Sequence, residues 1–201
     1  MFVHRHHLRN LLRPEHYSSA AHQRREIERL FMPTWHPVGV RNQLTRSGDR
    51  LPVELLGKRV TVWNEGGDLR ASRLDQDPRV CNSFPVRVGT WGEVVFVRLT
   101  DRGPTLEEFL SPARTDWADG FGPPFRYAGA WHVDFPCDWK VVLENALETY
   151  HVPELHAKTF GDMLPEEDCE HDLRPHYTFF VGNVKQDWVT RRLNGLVRRL
   201  G

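Results

Sequence analysis

The sequence has few cysteines, no excess charge of either sign and no long apolar run. Its three cysteines form no C-x-x-C pair, which indicates reduced thiols rather than a disulfide scaffold. Lysine plus arginine equals aspartate plus glutamate at 27 each, so charge favours neither nucleic acid nor an anionic membrane as a partner. The N-terminus lacks the apolar core of a signal peptide, and no apolar run approaches bilayer-spanning length. These absences predict a cytoplasmic protein.

The first half of the chain is predicted to be a helix followed by β structure. The full 201 residues suffice for one ample domain or two small ones. A periodic segment over 20–31 predicts an amphipathic helix that Pro33 ends. Strand-like runs follow at 59–63 and 94–99, and the turn signals S-G-D, E-G-G-D and T-W-G lie around them. This pattern is typical of a small β sandwich or barrel.

The second half is predicted to mix strands and helices. Proline, glycine and acidic residues concentrate over 100–124, which indicates a boundary. Beyond it, the pattern predicts a strand over 126–135, a helix over 139–151 and a strand over 177–181. The last segment, 184–200, repeats apolar residues at helical spacing, and its basic face is best explained as the solvated side of that helix.

Residues 144–156 read E-N-A-L-E-T-Y-H-V-P-E-L-H and contain two histidines five positions apart. Two neutral imidazoles and one carboxylate, with coordination positions left open, suit non-haem Fe(II) in oxygen chemistry. His151 and His156 are therefore the predicted metal ligands. The competing interpretation makes both of them ordinary capping or hydrogen-bonded histidines.

The five-residue spacing requires a break in the helix, since five helical steps turn two side chains away from a common face. Pro153 disfavours helical geometry at the residue before it. The helix from about Asp138 is therefore expected to end near His151, so that His156 swings back on the following turn.

A stripe of acidic residues is predicted upstream of this break. Glu144, Glu148 and His151 recur at i, i+4 and i+7, which would align two carboxylates and one imidazole on one helix face. Such a stripe can hold a ligand and the carboxylates that orient it, because ligating histidines usually donate their other N–H group.

The same residues match the motif N-x-x-(D/E)-x-Y-H-x-x-x-x-H through Asn145, Glu148, Tyr150, His151 and His156. By this motif the chain resembles the α subunits of Rieske-type ring-hydroxylating oxygenases. The likeness covers roughly residues 10 to 165. L-R-P-E-H-Y-S-S looks like the family's N-terminal lead-in, T-V-W-N-E-G-G-D-L-R-A like its first β-hairpins, and V-G-T-W-G-E-V-V-F-V like the last strand of its cluster domain.

The resemblance implies an α+β fold, with the remnant of a Rieske-like β domain before a truncated helix-grip domain, in which an antiparallel sheet wraps around a long helix. The expected parts are a helical lead-in over 1–32, a β domain without cluster ligands over 33–100, a linker over 101–124 and an iron-binding domain over 125–201. A sheet that is cut short leaves unpaired edge groups, which predicts a homo- or hetero-oligomer.

The ligands of a Rieske [2Fe–2S] cluster are missing from the matching region. Such a cluster takes two thiolates and two imidazoles, which the family supplies as a C-x-H and a C-x-x-H pair. Cys81 is the one thiol there, and no histidine lies between His36 and His132. Cys169 and His171 spell C-x-H downstream, without a partner pair. We therefore expect mononuclear Fe(II) on this chain and no [2Fe–2S] cluster.

The third iron ligand stays open. In the family this carboxylate lies far along the chain, whereas only 45 residues follow His156. The candidates are four aspartates: Asp162, Asp168, Asp172 and Asp187.

The resemblance also implies roles for the polar residues around the histidines. Tyr150 and Asn145 would support the site, and Glu144 or Glu148 would orient a histidine. Glu148 is disfavoured as an iron ligand, since its family counterpart links the iron histidine to the cluster of a neighbouring subunit.

Two functions from different classes follow. The first is an Fe(II)-dependent oxygenase, an oxidoreductase that uses O2 to hydroxylate or demethylate a small organic substrate. Its electrons would come from a separate reductase or a full-length oxygenase subunit. The second is a non-catalytic structural or regulatory paralogue, which the missing cluster favours and the intact iron motif disfavours. An incomplete or rearranged reading frame is a third explanation.

Overall fold

The computed structural model describes most of the first half of the chain and parts of the second. The described residues are 11–73, 86–114, 116, 121–122, 126–148, 151–156, 158, 169–174 and 177–182, with the backbone alone at 153–154, 169–173 and 179–182. The chain divides into two compact units. The first, here the β unit, is Ser18–Asp134, and the second, here the site unit, joins Met1–Tyr17 to Phe135–Gly201.

The β unit contains two three-stranded antiparallel sheets, ordered β1-β6-β5 and β2-β3-β4. Their strands are β1 His36–Val40, β2 Arg50–Leu55, β3 Lys58–Glu65, β4 Asp68–Arg73, β5 Arg87–Trp91 and β6 Val94–Arg98. The helices described before residue 115 are α1 Pro14–Ser18, α2 Ala20–Glu26, which a π-helical turn Ile27–Phe31 continues, and α3 Leu106–Arg114. The predicted helix over 20–31 and the two predicted strands in this region are confirmed.

The E-G-G-D turn sets the register of the β3–β4 hairpin. Gly66 and Gly67 adopt φ values of 65° and 106°, which side-chain-bearing residues rarely tolerate. Asn64 supports the turn, because its side-chain oxygen accepts a hydrogen bond from the Gly67 N–H at 2.7 Å. The turn predicted at this position is confirmed.

Strand β6 is the centre of the core, and all five of its residues are buried. Its side chains alternate between two clusters, as period-2 geometry requires. Val95 and Val97 join the larger cluster, whereas Val94 and Phe96 pack with Trp35 in the smaller one. A strand buried on both faces reads as a continuous apolar run, and V-V-F-V fits that description.

A buried arginine ties the loop after β6 to the sheet. Arg98 is 5% exposed, and its guanidinium donates to the carbonyl oxygens of Thr100, Asp101 and Pro104 while lying 5.0 Å from the centroid of the Trp35 ring. Burial lowers the pKa of Arg98 below its ordinary value. The planar fork satisfies several loop carbonyls at once, which a lysine cannot do in the same way.

Helix α3 lies within the region that the sequence analysis interpreted as a boundary rich in proline and glycine. Thr105 and Glu108 form a reciprocal capping box: the Glu108 carboxylate accepts from the Thr105 N–H at 2.8 Å, and the Thr105 hydroxyl oxygen accepts from the Glu108 N–H at 3.2 Å. The signal T-L-E-E was readable in the sequence, but this helix was not predicted, because the segment was interpreted from its proline and glycine content.

The described elements of the site unit, besides α1, are α4 Trp139–Leu147, α5 His151–Leu155, and a hairpin of β7 Cys169–Leu173 with β8 Thr178–Gly182. The predicted strand over 177–181 is confirmed as β8, whereas β7 was not predicted. The predicted helix over 184–200 lies outside the described residues. No helix in the described part of the chain is long and apolar enough to cross a membrane. The α+β class is confirmed.

The strand predicted over 126–135 is wrong, because this segment joins no sheet among the described residues. Its alternating apolar residues Trp131, Val133 and Phe135 are 87%, 58% and 64% exposed. Alternating apolar residues form a strand only where a neighbouring strand can pair with their backbone and another layer of the protein can cover their apolar face.

The capping box gives a testable pH dependence. Two hydrogen bonds from Thr105 lower the pKa of Glu108 below its ordinary value. The bond from the Thr105 backbone N–H has the larger effect and the bond from its hydroxyl the smaller. A carboxylate with a lower pKa in the folded chain stabilises the fold above its unfolded pKa and loses that contribution as the pH falls through the folded value. Glu108→Gln is expected to lower the urea midpoint at pH 7, and the difference from wild type to shrink between about pH 5 and pH 3. Glu54→Gln, on strand β2, is the control, and a deficit for Glu108→Gln that does not change with pH would contradict the assignment.

Candidate metal centre

Helix α4 begins at a buried ion pair. Asp138 is its N-cap and accepts from the Lys140 N–H at 3.0 Å. The Asp138 carboxylate also lies 2.8 Å from the Lys140 ammonium, with side chains only 7% and 6% exposed respectively. That ammonium lies 4.9 Å from the ring centroid of Trp139 and 5.6 Å from that of Tyr17. A buried charge needs such partners, because desolvation alone is costly.

The break after α4 comes earlier than predicted. The helix ends at Leu147, and Glu148 follows as the C-cap in an extended conformation with φ −107° and ψ 143°. His151 then opens α5, which contains Pro153 as its third residue. The expectation that Pro153 ends the helix is wrong. In the first turn of a helix the backbone N–H has no intrahelical partner, so a proline there removes no hydrogen bond.

The predicted stripe of two carboxylates and an imidazole is therefore wrong as well. Glu148 and His151 do not continue α4, and the side chains of Glu144 and Glu148 have different partners. The Glu144 carboxylate accepts from the Tyr17 hydroxyl at 2.5 Å. This hydrogen bond, together with burial and the charge of Glu144, raises the pKa of Tyr17 above its ordinary value.

The Glu148 carboxylate serves His151 twice. One oxygen accepts from the backbone N–H of His151 at 3.2 Å and so caps α5. The other lies 2.6 Å from Nδ1 of the His151 ring, and the two side chains are 20% and 14% exposed. Although this distance is short, Nδ1 is buried and makes no aligned hydrogen bond within the described residues. The carboxylate thus sits on the Nδ1 side of the ring and leaves Nε2 for another partner.

The structure brings the two predicted ligands together. The ring centroids of His151 and His156 are 5.4 Å apart, and their planes meet at 73°. His156 follows α5 directly, and its N–H donates to the Val152 carbonyl oxygen at 2.9 Å. Two imidazoles that hold one metal ion through bonds of about 2.1 Å place their ring centroids roughly 5 Å apart. The spacing of the two rings therefore fits a shared ion.

The other predicted site residues are only partly placed. Asn145 is exposed on α4, and no hydrogen bond to either histidine is among the described contacts. Asp172 lies on β7 with its backbone alone described. Four predicted site residues lie outside the described residues: Tyr150, Asp162, Asp168 and Asp187. In the described part of the chain, no group of three or more His, Cys, Asp or Glu side chains is arranged to hold a metal.

The residues that anchor α4 were not predicted from the sequence. Tyr17 and Glu144 are 127 positions apart, and no spacing rule links them. The acidic residue followed by a helix, D-W-K, was a readable N-cap signal at Asp138. The burial of Lys140 beside two aromatic rings was not readable, because lysine is rarely buried.

Comparisons of sequence relate this segment to known proteins. A family model described as the ring hydroxylating alpha subunit (catalytic domain) matches residues 124–192. The glycine betaine monooxygenase oxygenase subunit of Chromohalobacter salexigens is 26% identical over 119 residues, which are 58% of this chain and 26% of that protein. The anthranilate 1,2-dioxygenase large subunit of Burkholderia cepacia is 29% identical over 83 residues, 41% of this chain and 20% of that protein. The chain thus spans about a quarter or less of these curated relatives.

Solved structures share the fold. The quaternary ammonium Rieske monooxygenase CntA in complex with L-carnitine aligns with a TM-score of 0.67 at 20% identity, over 82% of this chain and 60% of that chain. Naphthalene 1,2-dioxygenase with indole bound aligns with a TM-score of 0.52 at 16% identity, over 69% of this chain and 43% of that chain. The resemblance inferred from the motif around His151 and His156 is confirmed: residues 124–192 match the catalytic-domain model of the ring hydroxylating alpha subunit, and the chain is similar to oxygenase subunits of that kind.

Proposed function

We propose that this chain binds one ferrous ion between His151 and His156 and takes part in the O2-dependent oxidation of a small organic substrate. The observation that carries the proposal is the pair of imidazole rings 5.4 Å apart, with a carboxylate against Nδ1 of the first. Both histidines lie inside the segment that the catalytic-domain model matches.

The side chains present suit this metal. Two imidazoles with one carboxylate and open positions are the donor set of non-haem Fe(II) oxygenases, and the ion supplies O2 binding and activation when bound. Glu148 orients His151 by facing Nδ1 and by capping the helix that this histidine begins. A carboxylate in that position also increases the basicity of the ligating nitrogen.

We propose that the third iron ligand is one of four aspartates: Asp162, Asp168, Asp172 and Asp187. Tyr150 and Asn145 are proposed to support the site. Glu148 is left out of the ligand set because its carboxylate is already engaged with the ring and the N–H of His151.

The proposed substrate is a small organic molecule that is hydroxylated or demethylated. The curated relatives include a glycine betaine monooxygenase and an anthranilate 1,2-dioxygenase, and the structural neighbours include a monooxygenase of quaternary ammonium compounds. Quaternary ammonium compounds are therefore the first class to test and aromatic acids the second.

The finer architecture is proposed from the resemblance. Residues 33–100 form a Rieske-like β domain without cluster ligands, 101–124 a linker and 125–201 a helix-grip iron domain, after a lead-in over 1–32. Inter-subunit electron transfer has been described for a quaternary ammonium Rieske monooxygenase among the structural neighbours. We propose that electrons reach this chain from a reductase or a full-length oxygenase subunit within a homo- or hetero-oligomer. All the relatives named above are oxygenases, so the comparisons do not favour a non-catalytic paralogue.

Metal analysis tests the site directly. Purified protein loaded with ferrous iron under anaerobic conditions is expected to retain about one iron per chain, because His151 and His156 together form one proposed metal site. His151→Ala and His156→Ala are each expected to lose it. His132→Ala is the matched control, because this exposed histidine pairs with Asp134 outside the motif. Metal-free wild-type protein, or iron retained in both site variants, would refute the proposal.

A second test addresses the carboxylate that orients His151. Glu148→Ala is expected to weaken Fe(II) binding by about 10-fold to 100-fold, the usual effect of removing a group that orients a metal ligand. Glu148→Gln, which keeps an acceptor for the His151 N–H but removes the charge, is expected to fall between Glu148→Ala and wild type. Competition with a chelator measures the affinities, and Glu65→Gln in the β unit is the control. Equal affinities of Glu148→Ala and wild type would show that the ring needs no such support.

The missing cluster ligands make a third prediction. Iron-loaded protein is expected to lack the visible absorption of a [2Fe–2S] centre and to contain no acid-labile sulfide, since the region that should carry the thiolates has one cysteine. Reconstitution with iron and sulfide, followed by absorption and sulfide assays, checks this. A stable coloured centre would mean that the cluster ligands come from residues outside the family pattern.

A further inference from the structure

The N-terminal lead-in contacts α4, the helix that carries Asn145, the first residue of the iron motif. Tyr17, at the end of α1, donates its hydroxyl to the Glu144 carboxylate at 2.5 Å, and its ring lies 5.6 Å from the Lys140 ammonium. Both partners are on α4, and all three residues belong to the site unit. We propose that Tyr17 is a positioning residue that holds the end of α4 and, through it, the Glu148 carboxylate against His151. This inference rests on the proposed iron site.

The contact between the Tyr17 ring and Lys140 holds the first turn of α4. Lys140 and Asp138 form an ion pair with both side chains almost fully buried. The Tyr17 and Trp139 rings lie within cation–π distance of the ammonium. Charges removed from water are stabilised only in a narrow geometry, so the ring of Tyr17 has a defined place against the first turn of α4.

The contact between the Tyr17 hydroxyl and Glu144 reaches the end of α4. Glu144 is held at two points: its carboxylate by the Tyr17 hydroxyl and its carbonyl oxygen by the Glu148 N–H at 3.2 Å. Glu148 is the next residue to contact His151, through both carboxylate oxygens. A shift of Glu144 therefore moves Glu148, whose carboxylate faces the ring of His151.

Substitutions at Tyr17 and Glu144 can remove the hydroxyl donor, the carboxylate charge or the acceptor oxygen separately. A hydroxyl that donates to a carboxylate forms a charge-assisted bond, which is short and stronger than a neutral one. Tyr17→Phe removes the donor and keeps the ring beside Lys140. Glu144→Gln keeps an acceptor oxygen and removes the charge, whereas Glu144→Ala removes both.

Amide hydrogen exchange in metal-free protein gives the first readout, with the Glu148 and His151 amides as reporters. Tyr17→Phe and Glu144→Ala are each expected to speed their exchange by about threefold to tenfold, the factor that one hydrogen bond of ordinary net strength represents. Glu144→Gln is expected to have a smaller effect, and the double variant Tyr17→Phe with Glu144→Ala no larger effect than either single change, because both remove one interaction. Tyr127→Phe, a tyrosine of the β unit, is the matched control.

Iron binding gives the second readout. Tyr17→Phe is expected to weaken Fe(II) binding by a similar factor and to alter the electron paramagnetic resonance spectrum of the nitric oxide adduct, because the His151 ring is less well oriented. Wild-type protein that binds no iron would refute the proposed function, while exchange at the two amides would still decide the role of Tyr17. Unchanged exchange at both amides in Tyr17→Phe would refute that role, as would faster exchange spread over all of α4 with a lower urea midpoint.

Discussion

The contact between the Glu148 carboxylate and His151 is the constraint on which the proposed iron site depends. The backbone of Glu148 ends α4 as its C-cap, and its carboxylate caps α5 and faces the imidazole ring of His151. His156 is the first residue after α5 His151–Leu155, so the Glu148 carboxylate contacts one end of the short helix that separates the two histidines. The 5.4 Å between the ring centroids of His151 and His156 therefore follows from the local backbone geometry, in which Glu148 contacts both the backbone and the ring of His151.

The two compact units are stabilised in different ways. In the β unit, central strands β3 and β6 bury valine side chains that are completely removed from water, which is the ordinary hydrophobic contribution to folding. In the site unit, the described part of α4 has exposed apolar residues and is anchored through polar groups, above all the Lys140–Asp138 ion pair and Tyr17. Such anchoring specifies position more than it adds stability, because buried ion pairs gain little net energy.

Much of the β unit was predictable because its signals are local. Gly66 and Gly67 mark a hairpin turn through their positive φ, and V-V-F-V marks a strand buried on both faces. The prediction for 126–135 failed because alternation describes one strand and does not supply its neighbours. The helix break was misplaced because Pro153 has opposite effects inside a helix and in its first turn, and only the position of the helix start distinguishes them.

The sequence by itself determined which side chains the proposed site can use: two histidines five positions apart next to carboxylates, whose identity and order restrict the chemistry that we propose. The tertiary structure alone decided how the acidic residues are divided, with Glu148 against His151 and Glu144 against Tyr17. The physical reason is distance along the chain. Helical periodicity relates residues within a few turns, whereas the contact between Tyr17 and Glu144 joins positions 127 apart and exists only once the lead-in packs on α4.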